Sequence, residues 1–298
     1  MSQDHIGHYL GEHEVSTPLN WHRLDPERRW GLRAGRFTRV NMLFSGILAA
    51  LLTAALFGGL MLLPQPWASH ADILLHRGPT QHATMFFSIW SLIFIAIKWR
   101  KLNVQRKALQ YAITPDSPDF TLTPSTADDV VSRIYATADE PQAFLLYHRI
   151  LLALSNLRNL GRVGDVDDIL RSIAEQDEAS LETSYSLVQG FVWAIPVLGF
   201  IGTVLGLSQS IGAFSHLLAG SSDMSGLTDG LREVTAGLGT AFDTTLVALV
   251  AALIIQIGIT SLRKSEYEFL ESCAEYCSRY IINRLRLTVG ELRETTNA

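Results

Sequence analysis

The sequence predicts an all-α membrane protein with four transmembrane helices, the last two extending into a cytoplasmic helical domain. Three observations predict it. Hydrophobic residues make up 48% of the 298-residue chain and charged ones only 18%, below the roughly 25% usual in a soluble domain, and mean hydropathy is positive at +0.19. Residues 183–222 hold no Asp, Glu, Lys or Arg, more than the about 20 residues that a bilayer crossing needs. Apolar residues on both sides of the central spans recur at helical intervals. The expected segments are a cytoplasmic N-terminus over 1–39, a transmembrane pair with a short periplasmic loop over 40–99, a cytoplasmic helical domain over 100–186, a second transmembrane pair over 187–262, and a cytoplasmic amphipathic helix over 263–298.

The first 39 residues carry six Arg and no apolar core of a signal peptide, so an uncleaved, cytoplasmic N-terminus is expected. The uncharged run 40–63, closed by Pro64 and Pro66, is long enough at about 1.5 Å per residue to span. The run 83–97 is marginal; the uncharged residues 79–82 bring it to the lower limit, and a buried or interfacial helix is the alternative. Basic residues set the orientation. Arg23, Arg28, Arg29, Arg33, Arg36 and Arg39 precede the first span, and Lys98, Arg100, Lys101, Arg106 and Lys107 follow the second. Only Arg77 and Arg232 lie in the opposite loops, while Arg263 and Lys264 follow the last span, so four crossings with both termini inside satisfy the bias. Trp30, Trp67 and Trp99 fall near the boundaries.

Residues 111–124, with Pro115, Pro118 and Pro124, read as irregular. Thr126 ahead of Asp129 predicts a helix cap, and Glu140-Pro141 predicts another helix start. Asp165 is the expected cap of a helix with Val166, Ile169, Leu170 and Ile173 on one face, and nothing breaks it before Pro196. One rod running from the cytoplasm into the membrane follows. On the way out, Leu262, Phe269, Leu270, Cys273, Cys277, Tyr280, Ile281 and Leu285 form an apolar stripe. It is read as packing on the helices of 126–186, with a membrane-surface helix as the alternative. Cys273 and Cys277, one turn apart, are expected to be reduced packing residues rather than a disulfide or a zinc site.

Within the central spans, Pro196, Gly199, Thr203, Gly206 and Ser210 share one helix face, as do Gly237, Ala241, Thr245, Ala248 and Ala252. Such stripes let membrane helices approach closely. A single Thr can bond its own backbone and means little, but a Thr at similar depth in each of two facing stripes can line a polar path. Asp243 breaks the apolar pattern, and a carboxylate at that depth costs about 2.5–3.5 kcal/mol unless it is paired, protonated or wetted. It is turned about 200° from Thr245, so it is expected to hydrogen-bond at a subunit or helix interface; an ion relay is the alternative.

Pro196, Leu198-Gly199 and Gly202-Thr203-Val204-Leu205-Gly206, followed by Gly237, Ala241, Thr245, Ala248 and Leu249, resemble the signature of the MotA/TolQ/ExbB proton-channel family over about residues 185–265. The four-helix layout is closer to the flagellar stator MotA than to the three-helix ExbB and TolQ. The resemblance implies that 187–262 is a channel-forming helix pair in a bacterial inner (cytoplasmic) membrane. It further implies a homo-oligomer, a pentamer, around a dimer of a subunit with a single transmembrane helix bearing an Asp. The transported species would be H+ or Na+, with no cofactor, and ion-motive force would be converted into rotation or mechanical work by this channel and stator subunit. Thr203, Thr245 and the adjacent Thr244 would border the ion pathway. Pro196, Gly199, Gly202, Gly206, Gly237, Ala241 and Ala248 would hold packing and pore-shaping positions. Where ExbB-like members carry a Glu one turn before the Thr, this chain has Thr240, and no residue matches the partner's Asp.

A non-conducting membrane scaffold is the competing reading. An enzyme lacks support, because no Ser-His-Asp arrangement or metal-ligand cluster is present and Gly202 to Gly206 lies in an apolar span without the Lys of a phosphate loop. His70, His76 and His82 share one loop and offer only a weak metal site, and His216 near a span end reads as solvated. With a net charge of -5 and no dense basic face, nucleic acid is not an expected partner; membrane lipid is.

Overall fold

A computed structural model of the chain describes residues 18–25, 27–28, 35–62, 78–114, 120–160, 163–220 and 224–285. Residues 1–17, Trp30, Pro64, Trp67, His70, His76, Arg77, Pro115 and Pro118 lie outside them, as does the side chain of His216. The described residues are helical, with two isolated β-bridges. The long helices are α1 (Met42–Met61), α2 (Pro79–Lys107), α3 (Pro124–Thr137), α4 (Leu145–Leu160), α5 (Val163–Gly220) and α6 (Met224–Tyr280). Four of these, α1, α2, α5 and α6, are long and apolar enough to cross a membrane, so this is a multi-pass membrane protein.

Helix lengths bear on two expectations. The marginal run 83–97 is the apolar part of a 29-residue helix, about 43 Å long, because the basic residues after Ile97 continue it. α5 runs unbroken for 58 residues through Pro196, as the absence of a breaker predicted. A proline inside a helix frees one carbonyl, and membrane helices tolerate this when neighbours compensate. α6 continues for 57 residues without interruption.

Helix starts fall differently. α3 is capped by Thr123, whose side chain accepts from the Thr126 backbone while the Thr126 hydroxyl reaches back to the Thr123 amide. Thr126 is therefore the third helical residue of a capping box rather than the cap, and Pro124 takes the first-turn position that suits it. Pro141 opens only a 3-10 turn, Pro141–Ala143, and α4 begins at Leu145. A distant side chain supplies the reason: Gln105 accepts from the Leu145 amide at 2.9 Å and donates to the Ala143 carbonyl at 2.7 Å. α5 starts at Val163, so Asp165 lies inside the helix instead of capping it.

The chain divides into two compact units. One comprises Met1–Trp30, Asn103–Ile173 and Ser272–Ala298. Its core is built from Phe144, Tyr147, Ile150, Ile134, Leu122 and the buried tail residues Cys273, Cys277, Ile281 and Leu285. Two hydrogen bonds tie the tail to the segment before α3 rather than to the helices of 126–186: Leu122 donates to the Arg284 carbonyl at 2.7 Å, and Ile113 donates to the Tyr276 hydroxyl at 3.3 Å. Both cysteines are buried and neither is in a disulfide. Leu19 and Trp21 strap across the α3–α4 connection, with Leu19 donating to Thr137 and the Trp21 ring edge-on to Phe144 at 5.2 Å.

The second unit, Gly31–Leu102 with Ala174–Glu271, holds the four spans. α1 meets α2 where Trp90 donates its indole N–H to Ser45 at 3.0 Å and its ring covers Gly46. The Trp90 and Phe87 rings pack on Phe191 of α5 at 4.7 and 5.0 Å, and Ile95 reaches Gly258 of α6.

Burial, reinforced by Tyr276 and Tyr111, pushes the Tyr147 phenol well above its ordinary value. The folded unit then holds that proton more tightly than the unfolded chain, so its contribution is complete below about pH 10 and is lost as pH rises further. Thermal unfolding followed against pH should show an alkaline loss of stability above about pH 10 that Tyr147→Phe flattens.

Candidate functional site

α5 and α6 are in backbone contact. A methyl group added at Gly206 would stand 2.7 Å from both the Ala241 amide nitrogen and the Gly237 carbonyl oxygen, and one at Gly237 would stand 2.8 Å from the Gly206 carbonyl oxygen. Added at Gly199 it would meet the Ala248 methyl at 2.6 Å, and at Gly202 the Thr244 hydroxyl at 2.5 Å. No other residue type fits these four positions without displacement. Ser210 closes the line by donating to the Val234 carbonyl at 2.9 Å, with the Gly206 carbonyl at 3.1 Å.

The contact line therefore runs through Gly199, Gly202, Gly206 and Ser210 against Gly237, Ala241, Thr244 and Ala248, all buried. Spacing alone placed Thr203 in it. Positions 202 and 203 lie within about 60° of the Gly199–Gly206 line on either side, and close approach selects Gly202, which has no side chain. Thr203 is half-buried and donates back to the Phe200 carbonyl at 2.6 Å. Thr245, also half-buried, has the Ala241 carbonyl at 3.1 Å and the Gly199 carbonyl across the interface at 3.2 Å. Thr244 is enclosed and donates to the Thr240 carbonyl at 2.9 Å. Pro196 and Asp243 are half-buried.

The Thr and Ser hydroxyls of this contact cannot hold a charge near neutral pH. Hydroxyls can pivot between carbonyls and accept or donate in turn, so they can border a polar path but supply no ion store. Among the described residues no group of three or more His, Cys, Asp or Glu could hold a metal ion. The His82 ring contacts the Gly78 carbonyl at 2.9 Å and stacks on Phe57.

The same unit holds a second polar centre that the sequence reading passed over. Lys98 of α2 lies 3.0 Å from Glu266 of α6 and donates to Ser184 of α5 at 3.0 Å. Tyr185 donates to the other Glu266 oxygen at 2.5 Å. One signal could have found it: Glu266 interrupts the apolar stripe between Leu262 and Phe269 at helical spacing. Removing one member of such a buried pair costs about 3–5 kcal/mol, because the other charge stays buried.

Fold and contact thus define a multi-pass membrane protein built on a close-packed helix pair. The model of the MotA/TolQ/ExbB proton channel family, a transport family rather than an enzymatic one, matches residues 143–273, and over that stretch the chain is similar to this family. Comparisons with curated proteins and with solved structures gave no match. The matched stretch contains the whole α5–α6 contact, Tyr185 and Glu266; α1, α2 and Lys98 precede it.

Gly202→Ala should lower stability by about 1–3 kcal/mol, read as the thermal midpoint in detergent. Gly202→Ala/Thr244→Ala should recover most of the loss, since the obstacle is a side chain. Gly206→Ala should not be recovered by Ala241→Gly, since there the obstacle is backbone.

Proposed function

We propose that the chain is the pore-forming channel and stator subunit of an ion-driven motor in a bacterial inner membrane. In this reading five copies surround a dimer of a single-span partner whose Asp carries the ion, H+ or Na+. The family match over 143–273, with a Thr-bearing helix pair inside it, carries the reading. The broad exposed apolar faces of α5 and α6, with Trp193, Val204, Ile211, Phe242 and Leu246, suit contact with lipid and further chains. The basic residues that flank the spans support cytoplasmic termini, which puts 100–186 and 263–298 on the cytoplasmic side.

In this reading Thr203 and Thr245 border the ion path. Both are half-buried, and each hydroxyl can leave its own-helix carbonyl to meet a partner's carboxylate. Thr244, enclosed against Gly202, supports the wall behind them. Asp243, about 200° around the helix from Thr245, belongs at a contact between neighbouring subunits.

The test is proton uptake, followed with a pH-sensitive dye, into inverted vesicles from cells expressing the chain together with a single-span subunit that bears a membrane Asp and co-purifies with it. Thr203→Val or Thr245→Val should each lower partner-dependent uptake at least tenfold while co-purification with the partner is unchanged. Full uptake by both variants would replace the channel with a scaffold. Asp243→Asn should keep uptake per assembled complex but lower the pentamer recovered in native mass spectrometry; intact assembly without uptake would make Asp243 a relay.

A further inference from the structure

We propose that Lys98, Glu266 and Tyr185 form a register lock, a buried charged contact that sets the axial and rotational position of α6 against α5 and α2. Through it the lock sets where Thr244 and Thr245 stand in the α5–α6 contact. Its consequence for ion flux rests on the channel reading above; the lock itself does not.

The lock lies on the same helix faces as the contact. On α5 the buried line runs Tyr185, Val188, Ile195, Gly199, Gly202, Gly206, and on α6 it runs Thr244, Ala248, Ala252, Ile255, Ile259, Leu262, Glu266. Every step but one is three or four residues, the exception being the two-turn step from Val188 to Ile195, so each line is one face of a continuous rod. Glu266 is about six turns from Thr244. Moving either one moves the other.

The small-residue contact does not fix that position by itself. The contact sets Gly199, Gly202, Gly206 and Ser210 of α5 against Gly237, Ala241, Thr244 and Ala248 of α6, so a slip of α6 by one turn, about 5.4 Å, takes Thr244 from its space at Gly202 but otherwise sets small residues against small residues again. A contact of this kind is close but nearly periodic. The charged centre is not periodic, because Glu266 is the acid in the buried α6 line and Lys98 is the cation paired with it among the described residues.

The centre is also closed. Lys98, Glu266 and Tyr185 are 0%, 1% and 0% exposed. The Lys98 ammonium is ion-paired with Glu266 at 3.0 Å and donates to Ser184 at 3.0 Å and to Thr38 at 3.4 Å. One Glu266 oxygen faces Lys98 and the other takes the Tyr185 hydroxyl. The Tyr185 ring is flanked by the Lys98 ammonium at 4.6 Å and the Arg263 guanidinium at 5.1 Å. Close by, Lys101 donates to the Arg39 carbonyl at 2.8 Å. A slip of one turn would strand Lys98 and Glu266 as separate buried charges. Apolar side chains of similar volume stabilise a fold as well as such a pair does, so what the pair adds is a single permitted arrangement.

The test reads register directly. Spin labels at Leu207→Cys and Ile257→Cys, both exposed positions, lie at different depths, so their distance changes with axial slip; Cys273 and Cys277 are buried and stay unlabelled. Labelled chain is diluted into unlabelled chain in nanodiscs, and the distance distribution is measured by pulsed electron resonance. The charged form should give one narrow distance. Lys98→Met/Glu266→Met should add a second population shifted by about 5 Å, one turn, and Lys98→Glu/Glu266→Lys should return a single population. Lys98→Gln/Glu266→Gln asks the same question if the Met pair does not fold. A single unshifted distance in the uncharged variant, or two populations in the reversed pair, overturns the lock. Partner-dependent proton uptake should fall at least threefold in the uncharged variant and recover in the reversed one. The distance measurement needs neither partner nor ion, so a failed channel reading would leave it standing.

Discussion

Backbone meets backbone where Gly206 of α5 approaches Gly237 of α6, and the membrane part of this protein depends on that approach. Lipid tails are as apolar as leucine, so no burial from water drives two helices together inside a bilayer. What remains is dispersion, which falls off within an ångström of separation, and hydrogen bonding across the interface. Both demand proximity, and proximity demands residues without side chains at Gly199, Gly202, Gly206 and Gly237. Once the helices are that close, the Thr245 hydroxyl can reach a carbonyl of the neighbouring helix and Thr244 fills the space that Gly202 leaves. The polar groups of the contact follow from its closeness.

Along the same two rods the chemistry changes. The contact from Gly199 to Ala248 is small and self-satisfied, each hydroxyl having a carbonyl within reach. Toward Tyr185 and Glu266 it becomes large, aromatic and charged, and a third helix joins through Lys98. The two kinds of contact have complementary weaknesses. Small residues allow intimate approach but repeat every turn, whereas a buried ion pair is costly to desolvate but tolerates one geometry only. A helix pair that needs both closeness and a defined register is served by having one of each on a continuous face.

The other compact unit is held by contacts between residues distant in sequence. Gln105 closes the start of α4 with two hydrogen bonds, and the strap at Leu19 and Trp21 lies on the connection between α3 and α4. The tail after Ser272 buries Cys273, Cys277 and Ile281 there. These are the ordinary means of a small helical core: an apolar stripe, a borrowed cap and a short pairing of extended residues.

The pattern of apolar and charged residues alone determined the four spans, the unbroken rods of α5 and α6, the packing face of the tail and the small-residue stripes, because each is a property of one helix and its 3.6-residue period. Three features were decided only by the tertiary structure. Whether residue 202 or 203 faces α6 depends on about 100° of rotation, to which spacing is blind and which the available space resolves. The start of α4 depends on Gln105, forty residues away. The Lys98–Glu266 pair joins residues that the sequence shows only as the end of one apolar run and a flaw in another. Their charges can be buried only because folding brings them within 3.0 Å of each other.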